Sequence, residues 1–391
     1  MKSVYLNFLV QFILLLCFNY SQASESFIFK QIGTQEGLSQ NTVRSILVDR
    51  KGFVWAGTLD GINRFDGSRF ITYKPGFGKS VNLTDHRIRS IFEDKYGHLW
   101  LRKYDNTFSC YDPQTESLIE VKKGNEAIPL NFTNYLEASD SSIWLWDLRN
   151  GCVRLKKQQA GLQAVFFAPA NSGLLSSGGV EMLFEDSCGN IWIGCINGLN
   201  LLTNNRIQGR FYTEGPAIHF RKAIEVNHII YFISEQNYIC RYDLRKHQFL
   251  PELRTPQTYR FTDIVKMDDD HLLFSSRSEG LLSFTITSAT FNQNPFPGKN
   301  LSQSAQLISD RKGGVWIFDH TGVLRQYLSE KRELRDLNLI PSTIASVIDF
   351  ERYNVFIDSR NVYWITTYGN GLFRYEPQTG LLENYQYSNR E

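Results

Sequence analysis

The chain has 391 residues, of which 42% are hydrophobic and 14% aromatic, too apolar a composition for a disordered chain and enough to bury one large core or two ordinary ones. Lys and Arg number 42 against 40 Asp and Glu, a net charge of +2, and neither sign gathers into a nucleic-acid arm or an acidic tail. Nucleic acid is therefore not an expected partner, and charge names no other.

In chain order, Lys2 precedes the apolar run Phe8 to Phe18, and Ser21-Gln22-Ala23 follows it. This reads as a secretory signal peptide over 1–23, cut after Ala23. The run is shorter than the roughly 20 apolar residues of a membrane-spanning helix. Leu16 before Cys17 stands where a lipoprotein needs a small residue. The stretch "SFIFKQIG", Ser26 to Gly33, is a candidate strand for closing a ring of repeats.

From there the sequence repeats. The first unit breaks into "VRSILV", "FVWAG", "INRF" and "RFITY", with turn residues between them. Its Trp55 has counterparts at Trp100, Trp144, Trp192, Trp316 and Trp364, at gaps of 45, 44, 48, 124 and 48. The long gap holds two degenerate units, in which Tyr231 and Phe274 take the anchor position. An aspartate stands six residues before the anchor at Asp49, Asp94, Asp186, Asp310 and Asp358, and a glycine three before it at Gly52, Gly97, Gly189 and Gly313. Four short antiparallel strands in about 40–50 residues make a β-propeller blade. The fold class is thus all-β, with seven blades over 24–340 and an eighth repeat over 341–391 opening a truncated second propeller; one eight-bladed propeller is the alternative.

These repeats resemble the two-component regulator propeller repeats of periplasmic sensor regions in bacterial hybrid two-component histidine kinases. The resemblance rests on "EGLSQNTVRSILVDRKGFVWAGTLDGINRFDGSRFITY", Glu36 to Tyr73, and on "FEDSCGNIWIGCINGLNLL", Phe184 to Leu202. It implies an extracytoplasmic sensor of carbohydrate or another environmental ligand, in a family where paired propellers precede a β-sandwich, a membrane helix and a kinase. The sequence reaches Glu391 without a kinase motif, so the expectation is a periplasmic, non-catalytic part of a longer sensor or a stand-alone remnant. The implied partners are a small-molecule or oligosaccharide ligand, a homodimer mate or second propeller, and the membrane only through a downstream segment. A propeller lyase or hydrolase acting on polysaccharide, and a stand-alone interaction scaffold, are the competing readings.

The anchor tryptophans read as sheet-to-sheet packing and the aspartates as turn caps, because the dense acidic spacing of a calcium loop is missing. No catalytic residue, metal ligand or cofactor is expected: hydrolase, zinc and nucleotide motifs are absent, and the histidines stand singly. Cys110, Cys152, Cys188, Cys195 and Cys240 read mostly as buried apolar residues, with Cys188 and Cys195 a candidate disulfide if they flank a hairpin. Ligand-binding candidates lie in the turns three to five residues past each anchor, where the repeats stop agreeing, beginning at Thr58 in the first. They are Asp60, Lys103, Tyr104, Arg149, Asn197, His320 and Tyr368. Trp146 joins them because it replaces a glycine found at that position as Gly57 and Gly194.

Overall fold

The computed structural model describes residues 32–385 except 75–76, 79–82, 159–160, 168–174, 177–178, 205, 213–217, 235–237, 256–258, 278, 294, 300, 302–304, 310–313, 320–322, 330, 338–352, 359, 368–370 and 377. The signal-peptide segment, most of the Ser26 to Gly33 strand, His320 and Tyr368 lie outside the described residues. Met1–Arg89 and Ser90–Glu391 form two compact units.

Each repeat builds one antiparallel sheet, and the chain is an all-β propeller fold of eight blades. Blade 4 shows the plan, with strands Val180–Glu185, Ile191–Cys195, Gly198–Thr203 and Arg206–Phe211 paired in chain order. The buried second strand carries the anchor. Apolar residues of neighbouring blades interdigitate, so that Trp192 of blade 4 packs among Phe220, Phe232 and Cys240 of blade 5. The eighth sheet packs directly on the seventh, with Trp316 and Tyr363 at 5.0 Å between ring centroids. A sheet so covered is a continuing blade, which matches the eight-blade alternative.

Hydrogen bonds explain the aspartate turn and a second motif, an asparagine on the third strand of blades 1 and 4. In the aspartate turn, the carboxylate of Asp186 accepts from the backbone of Cys188 and Asn190 through Oδ1, while Oδ2 accepts from Trp192 Nε1 at 2.9 Å. Asp49 with Trp55, Asp94 with Trp100 and Asp358 with Trp364 repeat the indole bond at 2.8, 3.0 and 3.2 Å. One carboxylate thus shapes the turn and fixes the core tryptophan. The glycine is required because its position is left-handed, with φ of 87°, 85° and 77° at Gly52, Gly97 and Gly189. In the other motif, Asn200 donates to Ile193 O and to Ser176 Oγ and accepts from Ser176 N. Asn63 binds Ser39 in the same way.

Three expectations change. The blade 6 anchor is Leu273, one residue before Phe274: Met267 N bonds His271 O as Asp186 N bonds Asn190 O, which places Leu273 six residues past the turn's first position. Leu273 packs with blade 7, whereas Phe274 faces blade 5, since a one-residue slip along a strand reverses the face. Cys188 and Cys195 are free thiols, because Cys188 lies exposed in the aspartate turn and Cys195 is buried at the far end of the following strand. Thr58 is a fully buried support rather than the start of a solvated turn, donating to Gly61 O and accepting from Asp60 N. The other cysteines are buried, and burial pushes the Cys240 thiol up to about 12.

Blade 2 departs from the plan. Its third strand, Thr107–Asp112, pairs with Ser117–Ile119 along one half and with Leu130–Asn131 along the other. Between these, Val121–Lys123 leaves to pair in parallel with Gly161–Phe167 at the edge of blade 3. A second link joins blades through a glutamate closing the first strand. Glu185 accepts from Ser139 N and Oγ, Glu225 from Ser187 N and Oγ, and Glu137 from Lys95 N. Glu185→Ala is expected to lower stability by about 1–2 kcal/mol, because two donors lose a charged acceptor at an exposed site. Urea unfolding checks it; an unchanged midpoint would show the link to be energetically idle.

Candidate functional site

The second unit holds a cleft of about 820 Å³. Its rim comes from the turns after the anchor strands of blades 2 and 3, which supply Asp105, Asn106 and Asp147 to Asn150. Asn131, Thr133 and Asn134 add a polar wall, and Val180, Glu181 and Arg221 complete it from the first strands of blades 4 and 5. The blade 3 turn is held internally: Asp147 Oδ1 accepts from Arg149 N at 2.8 Å, and Asn150 Nδ2 donates to Asp147 Oδ2 and Asn131 O, both at 2.8 Å. Arg149 itself is exposed on this rigid turn.

Glu181 and Arg221 reach the cleft because of backbone irregularity. The pairing register shifts between Val180 and Met182 and between Phe220 and Lys222, so each sits on a β-bulge, a device that re-aims a side chain. The Glu181 side chain is 8% exposed, with Oε1 at 3.6 Å from His219 Nδ1 and Oε2 at 3.6 Å from Arg221 Nε. Trp146 Nε1 donates to the Glu181 carbonyl at 3.3 Å.

Of the candidates read from sequence, Arg149 lines the cleft and Trp146 supports its wall. Lys103 is buried at the end of Leu99–Lys103, Tyr104 is half-buried in the next turn, and Asn197 is half-buried in the blade 4 turn. Asp60 belongs to the first unit, where it pairs with Lys74 Nζ at 2.7 Å and lies 3.7 Å from His86 Nε2. Glu181 and Arg221 were missed. Their signal was a charged residue placed second in the first strand, directly after an apolar one.

Asp94, His98 and Cys110 place their ligand atoms within 4.8 Å of one another, but the donor set fits a cation poorly. Asp94 Oδ1 already accepts from Tyr96 N and His98 N, and Oδ2 takes Trp100 Nε1 and contacts His98 Nδ1 at 3.1 Å. Lys157 Nζ lies 3.4 Å from His98 Nε2, and burial pushes the Cys110 thiol well up, against thiolate formation. The cluster is a turn cap. Burial raises the Asp94 pKa, but the bonds from His98 and Trp100 outweigh it and hold the carboxyl below the usual range. Its contribution is therefore complete above the unfolded value near 4 and is lost as pH falls through the lower folded value. Asp94→Asn is expected to lower the urea midpoint at pH 7 and to flatten the loss of stability below about pH 4; an unchanged acid slope would contradict this.

Residues 37–60, which contain the Ser39 turn, Asp49, Gly52 and Trp55, match the family model described as two component regulator propeller. This is a two-component regulator propeller repeat. The chain is also similar to histidine kinase P4 of Formosa agariphila, with 38% identity over 61 residues, 16% of this chain and 4% of the kinase. The extracellular domain of a hybrid two component system from B. thetaiotaomicron aligns at 17% identity over 94% of this chain and 55% of that domain, with a TM-score of 0.46. The computationally designed Ika8 protein aligns at 11% identity over 85% of this chain and 95% of its own, with a TM-score of 0.55, a likeness of fold alone. The chain thus spans a small part of the kinase and about half of the extracellular domain. The family match is thus to one repeat of the chain, residues 37–60. Among the described residues no helix is long and apolar enough to cross a membrane.

Proposed function

We propose that this chain is the periplasmic ligand-sensing propeller of a two-component signalling protein, delivered by the signal peptide over 1–23, and that its cleft takes a carbohydrate or similar hydroxyl-rich ligand. The observation that carries the reading is the wall itself. Blades 2, 3 and 4 share the anchor tryptophan, and blades 2 and 4 the turn aspartate, but the blades place different groups here, Asn131 and Asn134, Arg149, Glu181 and Arg221. Side chains that diverge while their scaffold repeats suit an asymmetric ligand with many hydrogen-bonding groups. The role is non-catalytic in this chain, with a second propeller or a second copy and a membrane segment elsewhere carrying the signal onward. Tyr104, Trp146 and Asn197 are proposed as flanking contacts.

A calorimetric screen of the secreted part against oligosaccharides tests this, repeated on an Arg149→Ala, Asn134→Ala double variant. Binding weakened about tenfold or more is expected, from loss of a charged and a neutral hydrogen bond. Unchanged affinity would reject the cleft, and cleavage of the oligosaccharide would replace sensing by an enzymatic reading.

A further inference from the structure

Within the cleft, one group is left in an unsatisfied state. The Glu181 side chain is 8% exposed, and its two ionic neighbours, His219 Nδ1 and Arg221 Nε, each stand 3.6 Å away. Both separations exceed hydrogen-bond length, and Oε2 makes no hydrogen bond. A buried carboxylate with unused acceptor capacity is costly. It is nevertheless held at the wall, because the bulge aims it and Trp146 Nε1 fixes its carbonyl at 3.3 Å. Oε2 is shut off from solvent, so a ligand in the cleft reaches Glu181 on its Oε1 side, where an O–H group donating to a carboxylate makes a short, strong bond.

The surrounding charge adds a second constraint. Asp105 and Asp147 line the same cleft as Glu181, against the guanidinium groups of Arg149 and Arg221, and Arg221 already faces Glu181. An anionic ligand seated beside Glu181 would put like charges together where water is partly excluded.

We propose that Glu181 is the specificity-determining residue of the cleft, accepting hydrogen bonds from ligand hydroxyls and selecting neutral saccharides over uronic-acid and sulfated ones. This rests on the ligand-sensing reading above. In the complex, Arg221 and His219 hold the carboxylate while a ligand hydroxyl donates to Oε1.

The test is calorimetry with the secreted chain, using neutral gluco-, xylo- and manno-oligosaccharides in one arm and oligogalacturonates and sulfated galactan oligosaccharides in the other. A neutral sugar is expected to bind at least tenfold more tightly than any acidic one. Glu181→Gln is expected to weaken it about 10- to 100-fold, the range for losing charge-assisted bonds, and to narrow the gap to acidic sugars. If that variant does not fold, Glu181→Asp, which withdraws the charge by one methylene, carries the same expectation of weakening. Neutral binding unaffected by either substitution, or acidic sugars bound as tightly as neutral ones, would overturn the selectivity while leaving carbohydrate sensing in place. No binding in either arm would overturn the sensing reading, and this inference with it.

Discussion

Trp192→Ala is expected to destabilise the protein by about 4 kcal/mol, near the top of what a single core truncation costs. The indole is fully buried, and its ring centroid lies 4.7 Å from Tyr242, 5.1 Å from Phe232 and 6.2 Å from Phe211 and Phe249. These rings come from two sheets, so the cavity would open along the junction of blades 4 and 5, where neither sheet can collapse alone. The substitution also removes the N–H that serves Asp186 Oδ2, leaving that oxygen to Asn190 Nδ2 at 3.0 Å. Trp192→Phe separates the two effects: most of the ring is kept, the donor is lost, and the expected cost falls to about 1–2 kcal/mol. Urea titration with near-ultraviolet circular dichroism reports both. Equal losses in the two variants would assign the stability to the hydrogen bond and not to packing.

The anchors were legible because a propeller writes its architecture into a period. Trp55, Trp100, Trp144, Trp192, Trp316 and Trp364 repeat at blade spacing, and these six with the two units filling the long gap match the eight sheets. What failed was phase within a degenerate repeat. Blade 6 has neither the aspartate nor the tryptophan, its core positions Leu272, Leu273 and Phe274 are all apolar and all buried, and composition alone could not say which faced which neighbour. The turn hydrogen bond from Met267 N to His271 O and the pairing of Val265 with Leu273 fix the register.

The site was half legible for a related reason. Divergence among equivalent turns led to Arg149, which the cleft does contain. Lys103 follows the same logic but ends a strand whose inward alternation buries it. Glu181 and Arg221 depend on bulges, and a bulge adds a residue to one strand without changing the spacing of any motif. Counting back five residues from the turn position would have helped. That column contains Arg44, Arg89, Thr133, Glu181 and Arg221, and its last three members line the cleft.

The same strand geometry yields the second large effect, at Asp263. The register of blade 6 also shifts, between Phe261 and Asp263, and it leaves the Asp263 carboxylate 11% exposed between two other blades. One oxygen bonds Lys222 Nζ of blade 5 and the other accepts from Leu307 N of blade 7 at 2.9 Å. Three consecutive first strands therefore meet on one carboxylate. Lys222 is 43% exposed, so solvent offsets much of what the ion pair contributes. Leu307 N has no such recourse, because its bond to Asp263 is buried. Asp263→Ala is expected to cost about 2–3 kcal/mol, chiefly from that orphaned amide, whereas Asp263→Asn keeps an acceptor for it and should cost about 1 kcal/mol. Hydrogen exchange read by mass spectrometry locates the effect: faster exchange confined to Ala305–Ser309 in the alanine variant and near-native protection in the asparagine variant. Unchanged exchange in that strand would show that packing alone, without the carboxylate, holds blade 7 to blade 6.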